Sequence, residues 1–164
     1  MKLLPHFLFL PFFALLAAPL AAAPISPQTH AIIMLLADAQ GVPRSVANWL
    51  QVEESGDRNT GEWGRADARS GPDRFGSFSQ GLYQISTRSQ DWLVKMFYPH
   101  PAQYFDVWDP LDNAIVALGY LAWLHEHKGS WERALIYFNH GSLVDVPEAT
   151  RAYARRIVEA RAPK

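Results

Sequence analysis

The sequence predicts an all-α domain built from several short helices and interrupted by two sizeable loops. Three observations lead to this reading. Apolar residues recur at three- and four-residue spacing in one stretch of the chain after another. Helix-start signals, Ser26-Pro27 and Asp109-Pro110, stand before such stretches, and Gly41 and Gly129 stand after them. Between residues 56 and 76 the periodicity vanishes, and Gly, Asp, Arg, Ser and Pro take over. The 164 residues suffice for one compact domain and are too few for two comfortable ones.

The elements follow in order. Ser26 is placed to cap a helix whose first position is Pro27, with Ile32, Ile33, Leu35, Leu36 and Ala39 as its apolar stripe and Gly41 past its end. A second helix starts near Pro43, turns Val46, Ala47, Trp49 and Leu50 inward, and runs into Glu53-Glu54-Ser55-Gly56. The loop after it is long for a small domain, and such loops are usually functional or mobile. Beyond Gly81-Leu82-Tyr83-Gln84-Ile85, Thr87 and Gln90 have the spacing of a capping box for a short helix through Trp92, Leu93 and Phe97. A second loop, rich in aromatics and proline, covers Tyr98 to Trp108. Asp109 then caps the strongest helix, with Leu111, Ile115, Leu118, Ala122 and His125 on one stripe. Gly129 ends it, Ser130 caps a helix from Trp131 to Phe138 that closes near Asn139-His140-Gly141, and a last helix runs from Pro147 to about Arg161.

Composition narrows the function classes. A formal net charge of −1 gives no basic footprint for nucleic acid and no polybasic membrane patch. The absence of cysteine excludes disulfides, thiolate metal sites and a cysteine nucleophile. The first residues form a separate object: Lys2 is a positive start, Leu3 to Leu20 is almost unbroken apolar sequence, and Ala21-Ala22-Ala23 supplies the small residues of a cleavage site. The expected division is a signal peptide over 1–23 and a single domain over 24–164. A retained anchor is the competing reading, since the stretch is about long enough to span a bilayer, but Pro5, Pro11 and Pro19 argue against it.

A carboxylate at the inner end of an amphipathic helix, opening into a Gly-rich loop, suits a general acid. Apolar neighbours disfavour its ionised form and raise its pKa. Periodicity does not choose between Glu53 and Glu54, since both lie within about 60° of the stripe's centre at 100° per residue. Taken alone, either one reads more simply as a solvated glutamate at a helix end.

The motifs, taken together, carry more. Leu50 to Gly56, ending in Glu54-Ser55-Gly56, resembles the Glu-Ser motif of the soluble lytic transglycosylase family. Gly81-Leu82-Tyr83-Gln84 is similar to its Gly-Leu-Met-Gln segment, and Asp109-Pro110 with Asn113 and Tyr120-Leu121 to its long helix. Phe138-Asn139-His140-Gly141 resembles its Tyr-Asn-Ala-Gly motif, and Thr150-Arg151-Ala152-Tyr153 its closing Thr-Arg-x-Tyr. Each match is weak alone; five in the right order, from about Ile32 to Ile157, are not.

The resemblance implies a lysozyme-like all-α fold whose two long loops line a glycan cleft. It also implies cleavage of the β-1,4 bond between N-acetylmuramic acid and N-acetylglucosamine in peptidoglycan, leaving 1,6-anhydromuramoyl ends. It selects Glu54, which directly precedes the serine, as the catalytic residue. Ser55 is then expected to position Glu54, while Gln84 and Asn139 hydrogen-bond the sugars and Tyr153 closes the cleft. Tyr83 and Phe138 complete the substrate-binding set. Neither cofactor nor metal is implied. The expected partner is the peptidoglycan glycan strand, met by a monomer that is periplasmic or secreted, without stable membrane insertion once the signal is removed. An envelope-spanning machinery is a compatible further partner.

Three departures from the family pattern stand out. Phe138 replaces the tyrosine before Asn139, Tyr83 replaces methionine and brings a hydroxyl, and Ala149 replaces a glutamate, with Glu148 one place early. Other constellations are weaker. His125-Glu126-His127 is not the zinc helix motif, because residues two apart point to opposite sides of a helix. Trp49, Trp123 and Trp131 sit on helical stripes, while Trp63 and Trp108 lie in loops as sugar platforms. Two rival functions stay open at this point. One is a goose-type-lysozyme-like hydrolase in which Asp67 or Asp73 activates a water. The other is a non-catalytic wall-binding or assembly protein on the same fold.

Overall fold

The structure is a computed structural model that describes residues 23–160. The signal segment read from the sequence lies almost wholly outside the described residues, and the last helix, expected to run to about Arg161, ends at Glu159. Among the described residues six α-helices form the body: α1 (Pro27–Ala39), α2 (Arg44–Ser55), α3 (Gln90–Phe97), α4 (Pro110–Lys128), α5 (Trp131–His140) and α6 (Glu148–Glu159). A short 3-10 turn, Ala102–Tyr104, sits in the second loop. Among the described residues no helix is long and apolar enough to cross a membrane.

The helix ends follow the local chemistry of the sequence. Ser26 Oγ accepts from the Thr29 amide at 3.1 Å, with Pro27 at the first helical position. Asp109 accepts from the amides of Leu111 and Asp112, and Ser130 from that of Arg133. Gly129 and Gly141 close α4 and α5 in the left-handed conformation that glycine adopts without penalty. The expected Thr87–Gln90 capping box does not form. Ser89 is the residue before α3, and Thr87 Oγ1 instead accepts from the Phe78 amide across the hairpin.

The buried faces differ from the expected stripes in two helices. In α1 the buried residues are Ile33, Met34 and Ala37, while Ile32 and Leu35 face solvent. In α4 they are Asn113, Ala114, Val116, Ala117, Leu118, Leu121 and Leu124; Leu111, Ile115, Ala122 and His125 are only partly covered. The reason is the same in both. These helices carry apolar residues on most sides, so neighbours and not periodicity select the face. α1 packs on α2 and α4, and α4 lies between α1, α3 and α5.

The sequence showed no strands, but Ser79–Gln80 (β1) and Ile85–Ser86 (β2) pair antiparallel, with Ser79 opposite Ser86. The hairpin is fastened to α4 by Asn113, which is fully buried. Its Oδ1 accepts from the Tyr83 amide at 2.8 Å, and its Nδ2 donates to the carbonyls of Val107 at 3.0 Å and Gln80 at 3.2 Å. Gly81, at φ +77°, leaves room for that amide: a Cβ there would stand 2.2 Å from Asn113 Nδ2. The long loop before the hairpin is stitched to it, the Ser70 amide donating to Ser79 O and the Gly81 amide to Ala68 O, both at 2.9 Å.

Candidate active site

Helices α2 and α6 pack against each other, and one face of α6 organises the site. Thr150, Tyr153 and Arg156 follow one another at three-residue spacing, so they lie along one side of the helix. Thr150 Oγ1 donates to Asn139 Oδ1 at 3.3 Å. The Tyr153 hydroxyl donates to Glu54 Oε1 in a very short contact. Arg156 donates two hydrogen bonds to Glu53, each at 2.8 Å. Neighbouring glutamates thereby meet different fates. Glu53, with its side chain 5% exposed, is an ion-pair partner of Arg156 and, at 3.7 Å, of Arg58. Glu54 turns into a cleft of about 160 Å³ between the hairpin, α3, α4 and α5.

That cleft is lined by Glu54 together with Gln84, Ser79 and Ser86 of the hairpin region, Tyr120 of α4, and Phe138 and Asn139 of α5. Among the described residues Glu54 is the sole carboxylate lining it. Burial pushes the Glu54 pKa from the usual 4.5 up to about 7. The Tyr153 hydrogen bond pulls the other way, and the negative charge of Glu53 adds to the rise. A carboxyl poised near neutrality can both give and take a proton, which an acid with the ordinary value cannot do efficiently at pH 7. The Tyr153 hydroxyl is itself held well above its usual range, first by burial and then by the adjacent Glu54. It therefore stays a proton-bearing donor to the carboxylate.

Gln84 and Asn139 face the cleft with complementary groups. Gln84 sits at φ +52°, and its Nε2 donates to Gly81 O at 2.9 Å and Ala68 O at 3.1 Å, which leaves its Oε1 as an acceptor. The Asn139 Oδ1 is occupied by Thr150, which leaves the amide hydrogens as donors. Phe138 lines the cleft beside Tyr120, their ring centroids 5.8 Å apart.

Other residues expected in the site are placed elsewhere. Tyr83 is fully buried in the core, its hydroxyl donating to Ala47 O of α2 at 3.1 Å, so it adds no hydroxyl to the cleft. The Ser55 hydroxyl makes no hydrogen bond to the Glu54 carboxyl. It donates to Leu82 O at 2.6 Å, fixing the end of α2 to the hairpin turn, and Gly64 passes so close that a Cβ there would lie 2.0 Å from Ser55 Oγ. Trp63 stacks on His30 with centroids 4.0 Å apart, and neither it nor Trp108 lines the cleft. Asp67 and Asp73 are exposed. Asp73 Oδ1 accepts from the amides of Phe75 and Ser77, and these hydrogen bonds hold its pKa below the usual value. His125 and His127 stack on Trp131 and Trp123.

Besides Ser89, which lines the cleft just before α3, the polar residues that sequence reasoning missed are Ser79, Ser86 and Tyr120. The two serines reach the cleft only because the hairpin forms, and a two-residue strand leaves no periodic trace. Tyr120 carried a usable signal: it lies within the Tyr120-Leu121 pair matched to the family's long helix. Two wider hollows, of about 580 and 620 Å³, flank Trp49 on another side of α2, and Glu54 lines neither.

The fold and site define a small lysozyme-like helical domain with a protonatable carboxyl, Glu54, lining a polar cleft. The family model described as the transglycosylase SLT domain matches residues 37–157, well over half of the chain, and the protein belongs to that family. Its function is accordingly of the peptidoglycan-acting, lytic-transglycosylase type. No curated protein and no solved structure matches it significantly.

Proposed function

We propose that this protein cleaves the β-1,4 bond between N-acetylmuramic acid and N-acetylglucosamine in peptidoglycan by intramolecular transglycosylation, with Glu54 as its single acid and base. The observation that carries this reading is the Glu54 carboxyl, alone in the cleft among the described residues, its pKa raised to about 7 by burial. In the proposed sequence, protonated Glu54 gives its proton to the leaving glycosidic oxygen. The carbonyl oxygen of the substrate's own N-acetyl group attacks the anomeric carbon as the glycosidic bond breaks. Glu54, now a carboxylate steadied by the Tyr153 hydroxyl, takes the proton of the muramoyl C6 hydroxyl. That oxygen attacks the anomeric carbon, the acetamido oxygen leaves, and the 1,6-anhydro ring closes. No water is consumed, and Glu54 ends protonated as it began. The Gln84 acceptor and the Asn139 donors match the N–H and C=O of an acetamido group, which supports recognition of N-acetylated sugars.

A hydrolase of the two-carboxylate type needs a second group to activate water. Asp67 and Asp73 stand outside the cleft, and Asp73 is committed to capping its own turn. The tethered C6 hydroxyl also enjoys a large effective concentration relative to a water that nothing holds. A purely wall-binding role leaves unexplained a buried carboxyl whose raised pKa lowers the stability of the fold at neutral pH. Mass spectrometry of digested peptidoglycan tests the proposal. Anhydromuramoyl ends, one water lighter than reducing ends, are expected, and Asp67→Asn and Asp73→Asn should change little. Reducing ends as the main product, lost in either aspartate variant, would instead make the protein a lysozyme.

A further inference from the structure

The cleft at Glu54 is too small for the polymer assigned to it. Its volume of about 160 Å³ falls below the roughly 300–1,000 Å³ of pockets that enclose a drug-sized ligand, so neighbouring sugars of a strand must lie beyond it. On the α3–α4 side the cleft runs into a ribbon of aromatic rings. Tyr120, which lines the cleft, has the ring of Trp92 at 5.7 Å and 88° and that of Trp123 at 6.2 Å. Trp92 is held edge-to-face by Phe97 as well, at 5.9 Å and 85°, and by Trp123 at 6.2 Å and 76°. Even so, Trp92 is 46% exposed. Ser89, three residues earlier and thus on the same face of the chain's path into α3, lines the cleft.

We infer that this ribbon continues the cleft and that Trp92 is the stacking surface for a further N-acetylhexosamine ring of the glycan strand. The inference rests on the glycan-cleaving reading and adds to it a subsite that rewards chain length. The chemistry is specific. A pyranose presents C–H groups on its flat faces, which meet the electron-rich face of an indole favourably, while its rim of hydroxyls stays in water. Trp92 is half exposed and has three rings packed nearly perpendicular to it, which restrict its movement, so little ordering cost remains on binding. The ribbon joins the cleft through Tyr120, which favours the strand held at Glu54 over a separate protein partner.

The test uses the full chain carrying Glu54→Gln, which cannot turn over, titrated by calorimetry with N-acetylglucosamine oligomers of increasing length. Affinity should rise with length. Trp92→Ala in the same background should remove the gain made by the longer oligomers, by about two- to tenfold, and leave the shortest bound oligomer unaffected. Trp92→Phe should restore part of it. An undiminished length dependence in Trp92→Ala, with short-oligomer binding intact, overturns the subsite while leaving the glycan reading standing. Weakening of all lengths alike also overturns it, by showing a structural role. So does self-association that Trp92→Ala abolishes without touching oligomer binding, which would make the ribbon an interface between copies. Binding of no oligomer by the parent would sink both the subsite and the function on which it rests.

Discussion

Replacing Glu54 by glutamine should remove activity and, at the same time, make the protein more stable at neutral and alkaline pH. The magnitude follows from burial. A glutamate in the unfolded chain titrates near 4.5, and in the folded protein Glu54 does so near 7. Between those values the folded state keeps a proton that the unfolded state has given up, so stability falls as pH rises. The contribution is fully present below about 4.5 and is lost progressively through pH 7. At ~1.4 kcal/mol for each pH unit between the two values, the loss amounts to about 3 kcal/mol. Glutamine carries no charge to desolvate and can still accept from Tyr153 through its carbonyl oxygen. Urea unfolding of Glu54→Gln and the parent, at about pH 4.5 and about pH 8, should therefore show the variant gaining about 3 kcal/mol on the parent across that interval. Peptidoglycan turnover by the same variant should drop by ~10²–10⁴. A stability difference that does not change with pH would refute the buried-carboxyl argument, whatever happened to activity.

Three further outcomes follow. Tyr153→Phe deletes the hydroxyl that steadies the Glu54 carboxylate; a hydrogen bond to a charged group is worth about 1.5–3 kcal/mol, so the alkaline limb of the kcat/KM profile should move up by roughly one to two pH. A limb that stays put or moves down would contradict the assigned contact. Glu53→Gln should keep most activity, shift that limb to lower pH because the charge of Glu53 helps raise the Glu54 pKa, and cost about 1–2 kcal/mol through Arg156. Equal loss of activity in the Glu53 and Glu54 variants, with folding intact, would show that the acid has been misassigned. Asn113→Ala removes three hydrogen bonds and strands the Tyr83 amide and the carbonyls of Gln80 and Val107, so thermal unfolding should reveal a loss of about 3 kcal/mol or more. Unchanged stability would mean that the hairpin is held by something other than α4.

Local signals in the sequence place the starts of α1, α4 and α5 and the ends of α4 and α5. Ser26, Asp109 and Ser130 cap the amides that sequence position alone puts within their reach, and Gly129 and Gly141 stop helices by a backbone freedom that no neighbour needs to grant. The motif order also carried the family and singled out Glu54, Gln84, Phe138 and Asn139, all of which line one cleft. The tertiary structure decided the rest. Glu53 and Glu54 are indistinguishable by helical phase, and what separates them is a helix about a hundred residues away, whose Tyr153 and Arg156 each engage a different glutamate. Tyr83 and Ser55 sit in motifs that suggest the cleft, yet one hydroxyl closes a hydrogen bond in the core and the other ties the end of α2 to the hairpin turn. Capping and turn chemistry act over three or four residues and so leave their mark in the sequence. Which groups share a cleft, and how deeply a carboxyl is buried there, depends on contacts between elements far apart in the chain, and these exist only once the helices have packed.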